Sequence, residues 1–176
     1  MSPLRPLTLL LALCLSSSLQ AHPVVGDPAR YVSTTLAVQG AVEQAQTLDL
    51  PALRQLVQQH PASVTLKRQP DGVSSTLRGV RLRDLLAQAR IVSKDHNDVK
   101  KTIIIATASD GYAVVFSWSE LFNSALSEDV LVYLEKDGAA LGDDEGRIAL
   151  ISAQDLRTGP RHVKWLQRID VKKVVE

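Results

Sequence analysis

The fold is decided near the end of the chain, by Gly159-Pro160-Arg161-His162-Val163-Lys164-Trp165-Leu166-Gln167-Arg168-Ile169-Asp170-Val171. Its first half gathers cations and donors: Arg161, His162 and Lys164, with Arg157 just upstream and Thr158 and Gly159 giving a flexible approach. Its second half sets Leu166, Ile169 and Val171 among polar Gln167, Arg168 and Asp170. This pattern predicts a Gly-Pro-shaped loop running into a terminal strand. Arginine offers a bidentate fork, lysine a point charge, histidine a switchable donor and tryptophan a stacking face. Together they suit an anionic or planar polar ligand; the same residue types also describe a solvated cationic strand end. In a strand, Arg161 and Val163 face one way and His162 and Lys164 the other. His162 and Lys164 are therefore expected to share a wall. Trp165 falls on the opposite face, as a core residue first and a stacking platform second.

The other end of the chain reads as an address. Arg5 makes a short positive start, residues 7–15 an apolar run, and Ala21 a small residue at a cleavage point. Residues 1–21 are expected to be a secretory signal peptide, too short in the apolar part to span a bilayer. A lipoprotein reading would use Cys14, but Leu13 stands where a small residue is needed; an uncleaved anchor is the other alternative. Setting these residues aside removes one of the 20 basic residues and none of the 19 acidic ones. The formally neutral remainder argues against nucleic acid as a partner. It also loses Cys14, the only cysteine. The exported chain then has no disulfide, no thiolate metal ligand and no cysteine nucleophile. Its location would be the periplasm. Residues 22–33 are Pro-containing and expected to form a flexible arm; residues 34–176 are enough for one domain with a real core.

Between the ends, short strands alternate with turns. Residues 34–38 read as a strand. Asp49 and Pro51 open a helix with Leu53, Leu56 and Val57 on one face, closed by His60-Pro61. Residues 63–66 are a second strand, and 67–72 a polar turn carrying Lys67 and Arg68. Gly79-Val80 leads into a helix whose Leu82, Leu85, Leu86 and Ala89 recur at helical spacing. Residues 91–101 are loop-like, and the apolar run 102–106 is expected to be a strand buried on both faces. Residues 109–112 form a hairpin turn in which Asp110 either caps its own turn or pairs with the amino-imino edge of a heterocycle. Ser117 to Glu120 has the spacing of a capping box, with Trp118 expected to pack. Further strands are read at 129–135 and 147–151, with the acidic residues 143–146 exposed between them. The expected class is α+β: mostly antiparallel β with two or three short helices.

Four pieces, in order, resemble the sulfite-oxidase-type molybdopterin-binding fold. They are G-V-R-L-R-D-L-L at 79–86, S-D-G-Y at 109–112, V-L-V-Y-L-E-K-D-G-A-A-L at 130–141, and the closing R-H-V-K-W-L-Q-R-I at 161–169. The resemblance covers residues 34–173. It implies that His162, Val163 and Lys164 contact a pterin cofactor, partly through its phosphate; the residue types themselves add Arg161, Arg157 and Asp110 as further candidates. It also implies that the metal-ligating cysteine of the family would stand near Lys67 and Arg68, where this chain has cations. A soft thiolate holds the metal in that site, and ammonium or guanidinium groups would repel it. The expected ligand is a pterin or molybdopterin-type molecule without molybdenum. The expected function is that of a small periplasmic pterin-binding protein reporting to the periplasmic part of a membrane cyclic-di-GMP enzyme. A small molybdopterin-dependent oxidoreductase and an exported domain with a vestigial pocket are the alternatives.

Overall fold

The computed structural model describes residues 27–67 and 72–174. The expected signal peptide, the first residues of the arm and Arg68 lie outside the described residues. In chain order the elements are β1 (Thr35–Gly40), β2 (Gln46–Asp49), α1 (Leu50–Gln59), β3 (Ala62–Lys67), β4 (Ser74–Arg81), α2 (Leu82–Ala89), β5 (Thr102–Ala108) and β6 (Ala113–Ser117). They continue with α3 (Trp118–Phe122), β7 (Val130–Lys136), β8 (Ala139–Ala140), β9 (Ala149–Ser152), β10 (His162–Val163) and β11 (Leu166–Lys173).

Local chemistry sets the helices. Asp49 accepts a hydrogen bond from the Ala52 amide at 2.9 Å, and Pro51 sits in the first turn of α1. Leu53, Leu56 and Val57 are its buried face, and Leu82, Leu85, Leu86 and Ala89 are that of α2. Ser117 and Glu120 form the reciprocal capping box that starts α3. Trp118 stacks on Phe122 with ring centroids 5.4 Å apart.

The strands form two sheets. One has the order β2-β1-β11-β5-β6; the other runs β10-β9-β7-β4-β3, with β8 added beside β7. Among the described residues every strand pair is antiparallel except one: β1 runs parallel to β11, from Ala37 opposite Arg168 to Gly40 opposite Val171. The main core takes Leu36 and Val38 of the first sheet, the apolar faces of α1 and α2, and Val130, Val132 and Leu134 of β7. A second apolar cluster lies on the other face of the second sheet, with Val64, Leu77, Leu131 and Tyr133. The period-2 alternation of β7 thus feeds both clusters.

Four expectations change. The strand buried on both faces is β7, whose residues 130–134 are all buried; in β5, Ile103 and Ile105 are only half-buried beside buried Ile104 and Ala106. A full strand, β4, precedes α2 where a direct entry from Gly79-Val80 was expected. A Cβ on Gly79 would meet the Val132 carbonyl oxygen at 2.0 Å, so glycine lets β4 lie against β7 where the register shifts after Arg78. The short strand β2 was not foreseen; its four residues, paired only with β1, are half exposed. The arm expected to be loose is docked at its end: the Ser109 hydroxyl donates to the Tyr31 carbonyl, the Tyr31 ring lies 5.6 Å from that of Trp165, and Ser33 is buried. No helix among the described residues is long and apolar enough to cross a membrane.

Candidate functional site

A cleft of about 210 Å³ opens at the end of the second sheet. β3 contributes Leu66 and Lys67, β4 contributes Ser75 and Leu77, and β7 contributes Tyr133 and Lys136. Glu145 comes from the loop before β9, Thr158 from the loop entering β10, and His162 from β10 itself. The sheet order explains the convergence: β3, β4, β7, β9 and β10 are successive neighbours, so residues at one end of the sheet face one hollow.

The floor is a closed polar network. The Tyr133 hydroxyl donates to Glu145 Oε2 and lies 2.7 Å from His162 Nε2. Lys136 donates to Glu145 Oε1 at 3.0 Å, and His162 Nε2 stands 3.4 Å from Glu145 Oε2. Tyr133 is fully buried and Glu145 is 7% exposed. Burial by itself would push the Glu145 carboxyl up. Hydrogen bonds from His162, Tyr133 and Lys136 outweigh it and hold the group well below the usual carboxylate range. Burial first, and the adjacent carboxylate second, push the Tyr133 phenol far above its ordinary value. Glu145 is therefore a fixed anion and Tyr133 a fixed neutral donor.

Trp165 positions that anion. Its backbone amide donates to the Glu145 carbonyl at 2.9 Å and its indole to the Asp143 carbonyl at 2.8 Å. Lys164 Nζ reaches the Asp144 carbonyl at 3.3 Å. Three successive carbonyls are thus held by two adjacent residues. Trp165 is 4% exposed and its backbone is left-handed, at φ +50°. Gly146, at φ +75°, passes so close that a Cβ there would fall 2.2 Å from Trp165 Cδ1.

The sequence-predicted residues are placed as follows. His162 and Lys67 line the cleft. Lys164 does not share a wall with His162: the expected strand alternation fails because β10 is only two residues long and the backbone turns at Trp165. Val163 is buried in the main core. Arg161 is engaged elsewhere, bonding Asp155 through Nε at 2.7 Å and Nη2 at 2.5 Å, Glu120 through Nη1 at 3.0 Å, and covering the Phe116 ring at 4.6 Å. Arg161 holds the Asp155 carboxyl below its usual range; at Glu120, burial pushes up and bonds from Ser117 and Arg161 prevail in lowering it. Arg157 is exposed and outside the cleft lining. Asp110 caps its own turn, accepting from the Tyr112 amide at 2.9 Å. The resemblance pointed to neither Tyr133 nor Glu145. The acidic stretch 143–146, expected to be exposed, buries Glu145 because the network supplies it three donors. A tyrosine at the centre of an apolar strand, whose hydroxyl needs a partner, was the one signal available.

The profile of the oxidoreductase molybdopterin-binding domain matches residues 22–175. Among solved structures, the sulfane dehydrogenase SoxCD from Paracoccus pantotrophus is similar over 84% of this chain, with a TM-score of 0.60 and 17% identity. The chain spans 40% of the length of that protein, and the likeness is one of fold. No curated protein matches the chain. Mostly antiparallel sheets, few short helices and the match across nearly the whole described domain agree: the chain belongs to the oxidoreductase molybdopterin-binding domain family, with the sulfite-oxidase-like fold.

Proposed function

We propose that the chain binds a pterin-type ligand in this cleft without thiolate-held molybdenum, as a binding protein and not a redox enzyme. One observation carries the reading. Lys67, at the end of β3, lines the cleft where the family resemblance would put the metal-ligating cysteine. The groups around the cleft are two ammonium groups, an imidazole, a phenol, two aliphatic hydroxyls and one carboxylate already bonded by three donors. Among the described residues no group of three or more His, Cys, Asp or Glu side chains could hold a metal ion. That donor set does not fit a soft metal that favours thiolate. It fits a planar heterocycle: Leu66 and Leu77 supply apolar wall, and Lys67, Ser75, Thr158 and His162 supply polar edges. The volume lies below the roughly 300–1,000 Å³ of ordinary small-molecule sites, so a two-ring head would enter with its substituents projecting outward.

The match to an oxidoreductase family over residues 22–175 favours a second reading, a small molybdopterin-dependent oxidoreductase. Export and signalling belong to the first reading. The pattern of residues 1–21 supports export to the periplasm, and the resemblance to small exported pterin-binding proteins supports a membrane cyclic-di-GMP enzyme as the partner. Native mass spectrometry with metal analysis on protein purified from the periplasm separates the two. A bound pterin without molybdenum is the expected result. Near-equimolar molybdenum would overturn the first reading and establish the second. N-terminal sequencing of the same sample should begin within a few residues of His22.

A further inference from the structure

We infer that Tyr133 and Glu145 are positioning residues that lock His162 with its proton on Nε2, so that Nδ1 is presented to the cleft as an acceptor for a ligand N–H. The ligand half of this inference rests on the pterin reading above; the positioning half does not.

The argument is one of counting protons. A carboxylate can only accept, and a phenol has one hydrogen to give. Tyr133 commits that hydrogen to Glu145 Oε2, so its oxygen meets His162 as an acceptor. The 2.7 Å contact between Tyr133 and His162 Nε2 then requires the hydrogen to come from Nε2. The second neighbour of Nε2, Glu145 Oε2 at 3.4 Å, is also an acceptor and demands the same thing. In its neutral form the imidazole carries one N–H, so Nδ1 then keeps a lone pair. Gln46 Nε2 is the one buried side-chain nitrogen or oxygen without a partner among the described residues. Among the described residues His162 Nδ1 takes no partner, so it is open, and the ring lines the cleft. Lys136 completes the network by neutralising Glu145 from the other oxygen. Lys67 stands at the cleft wall as a further donor. The ligand edge that complements an acceptor and an ammonium has an N–H beside a carbonyl or anionic oxygen. A lactam edge has that order.

The arrangement makes a specific forecast about Glu145. Without the carboxylate, the Tyr133 hydroxyl is released and donates to His162 Nε2. The imidazole proton then moves to Nδ1, and the cleft shows a donor where it had an acceptor. Without the phenol, Nε2–H can still face Glu145 directly. Nitrogen-15 spectra of the unliganded protein, labelled at histidine, read the tautomer. The Nε2–H form is expected in the natural protein and in Tyr133→Phe, and the Nδ1–H form in Glu145→Leu, with Glu145→Ala as a second variant should the first not fold. An Nδ1–H tautomer or a doubly protonated ring in the natural protein, or an unchanged tautomer in both Glu145 variants, overturns the positioning role.

The ligand half is tested by titrating pterin and N3-methylpterin, which lacks the lactam N–H. Loss of the one hydrogen bond to Nδ1 should weaken the methylated compound by about tenfold in the natural protein. Equal binding of the two overturns the acceptor assignment. If neither binds while the tautomers behave as expected, the pterin reading falls and the positioning role stands.

Discussion

Replacing Arg161 by alanine should cost stability and leave the cleft intact. Arg161 joins three elements: the loop carrying Asp155, the capping box of α3 through Glu120, and the ring of Phe116 on β6. Its side chain is 22% exposed, that of Asp155 15% and that of Glu120 39%. A bidentate pair with a largely buried carboxylate contributes about 2 kcal/mol. The Glu120 contact is more than a third exposed, so solvent screening reduces it to about 0.5 kcal/mol. The guanidinium over Phe116 adds about 0.5–1 kcal/mol. The sum, about 3 kcal/mol, should lower Tm by roughly 6–12 °C in a chain of this size. The loss should also depend on pH. Asp155 and Glu120 have folded-state values held below their unfolded ones, so their contribution is fully present above the unfolded carboxylate range. It disappears as pH falls through the lowered folded values. Melts of Arg161→Ala and the natural protein should therefore differ at pH 7 and converge in strong acid. Equal melting at pH 7 would refute the structural assignment. So would a loss of pterin affinity in a variant that keeps its full stability, which would return Arg161 to the ligand site.

Other substitutions test neighbouring parts of the argument. Trp165→Ala leaves a cavity and releases the Asp143 carbonyl, and should cost about 3–5 kcal/mol by chemical denaturation. Gly146→Ala combines a left-handed backbone with a close approach to Trp165 and should cost about 2–4 kcal/mol, seen as a lower denaturation midpoint. Lys67→Ala should leave the melt unchanged and weaken pterin binding about tenfold to a hundredfold by calorimetry, because it removes one charge-assisted contact at a cleft wall.

The pieces of the fold that were legible in the sequence share a cause: each is written locally. Asp49 with Pro51, Ser117 with Glu120, and the Leu82-Leu85-Leu86-Ala89 stripe carry their signals within one or two turns. The pieces that were missed depend on neighbours far away in the chain. β4 begins Ser74-Ser75-Thr76 and looks like a linker until β3 and β7 are placed on either side of it. The site divides in the same manner. His162 stands out because it sits in a cation-rich run, whereas Tyr133 is hidden in an apolar strand and Glu145 in an acidic loop. Only pairing across the second sheet brings the three together. Arg161 shows the reverse error: a cation beside the site by sequence is a strut beside it in space.

The parallel pairing of β1 with β11 also has a consequence in time. β11 is the last strand among the described residues, yet it lies third of five in its sheet, between β1 and β5. Until it exists, β1-β2 and β5-β6 are two separate hairpins with open inner edges, each too small to be stable alone. The first sheet consequently closes in one late step, in which β1 meets residues of β11 more than a hundred positions away. Contacts of such long range give slow folding, on the order of milliseconds to seconds. A ribosome-bound chain would keep the first sheet open to proteases until residues 166–173 emerge. Removing those residues would therefore leave the two hairpins of the first sheet unjoined.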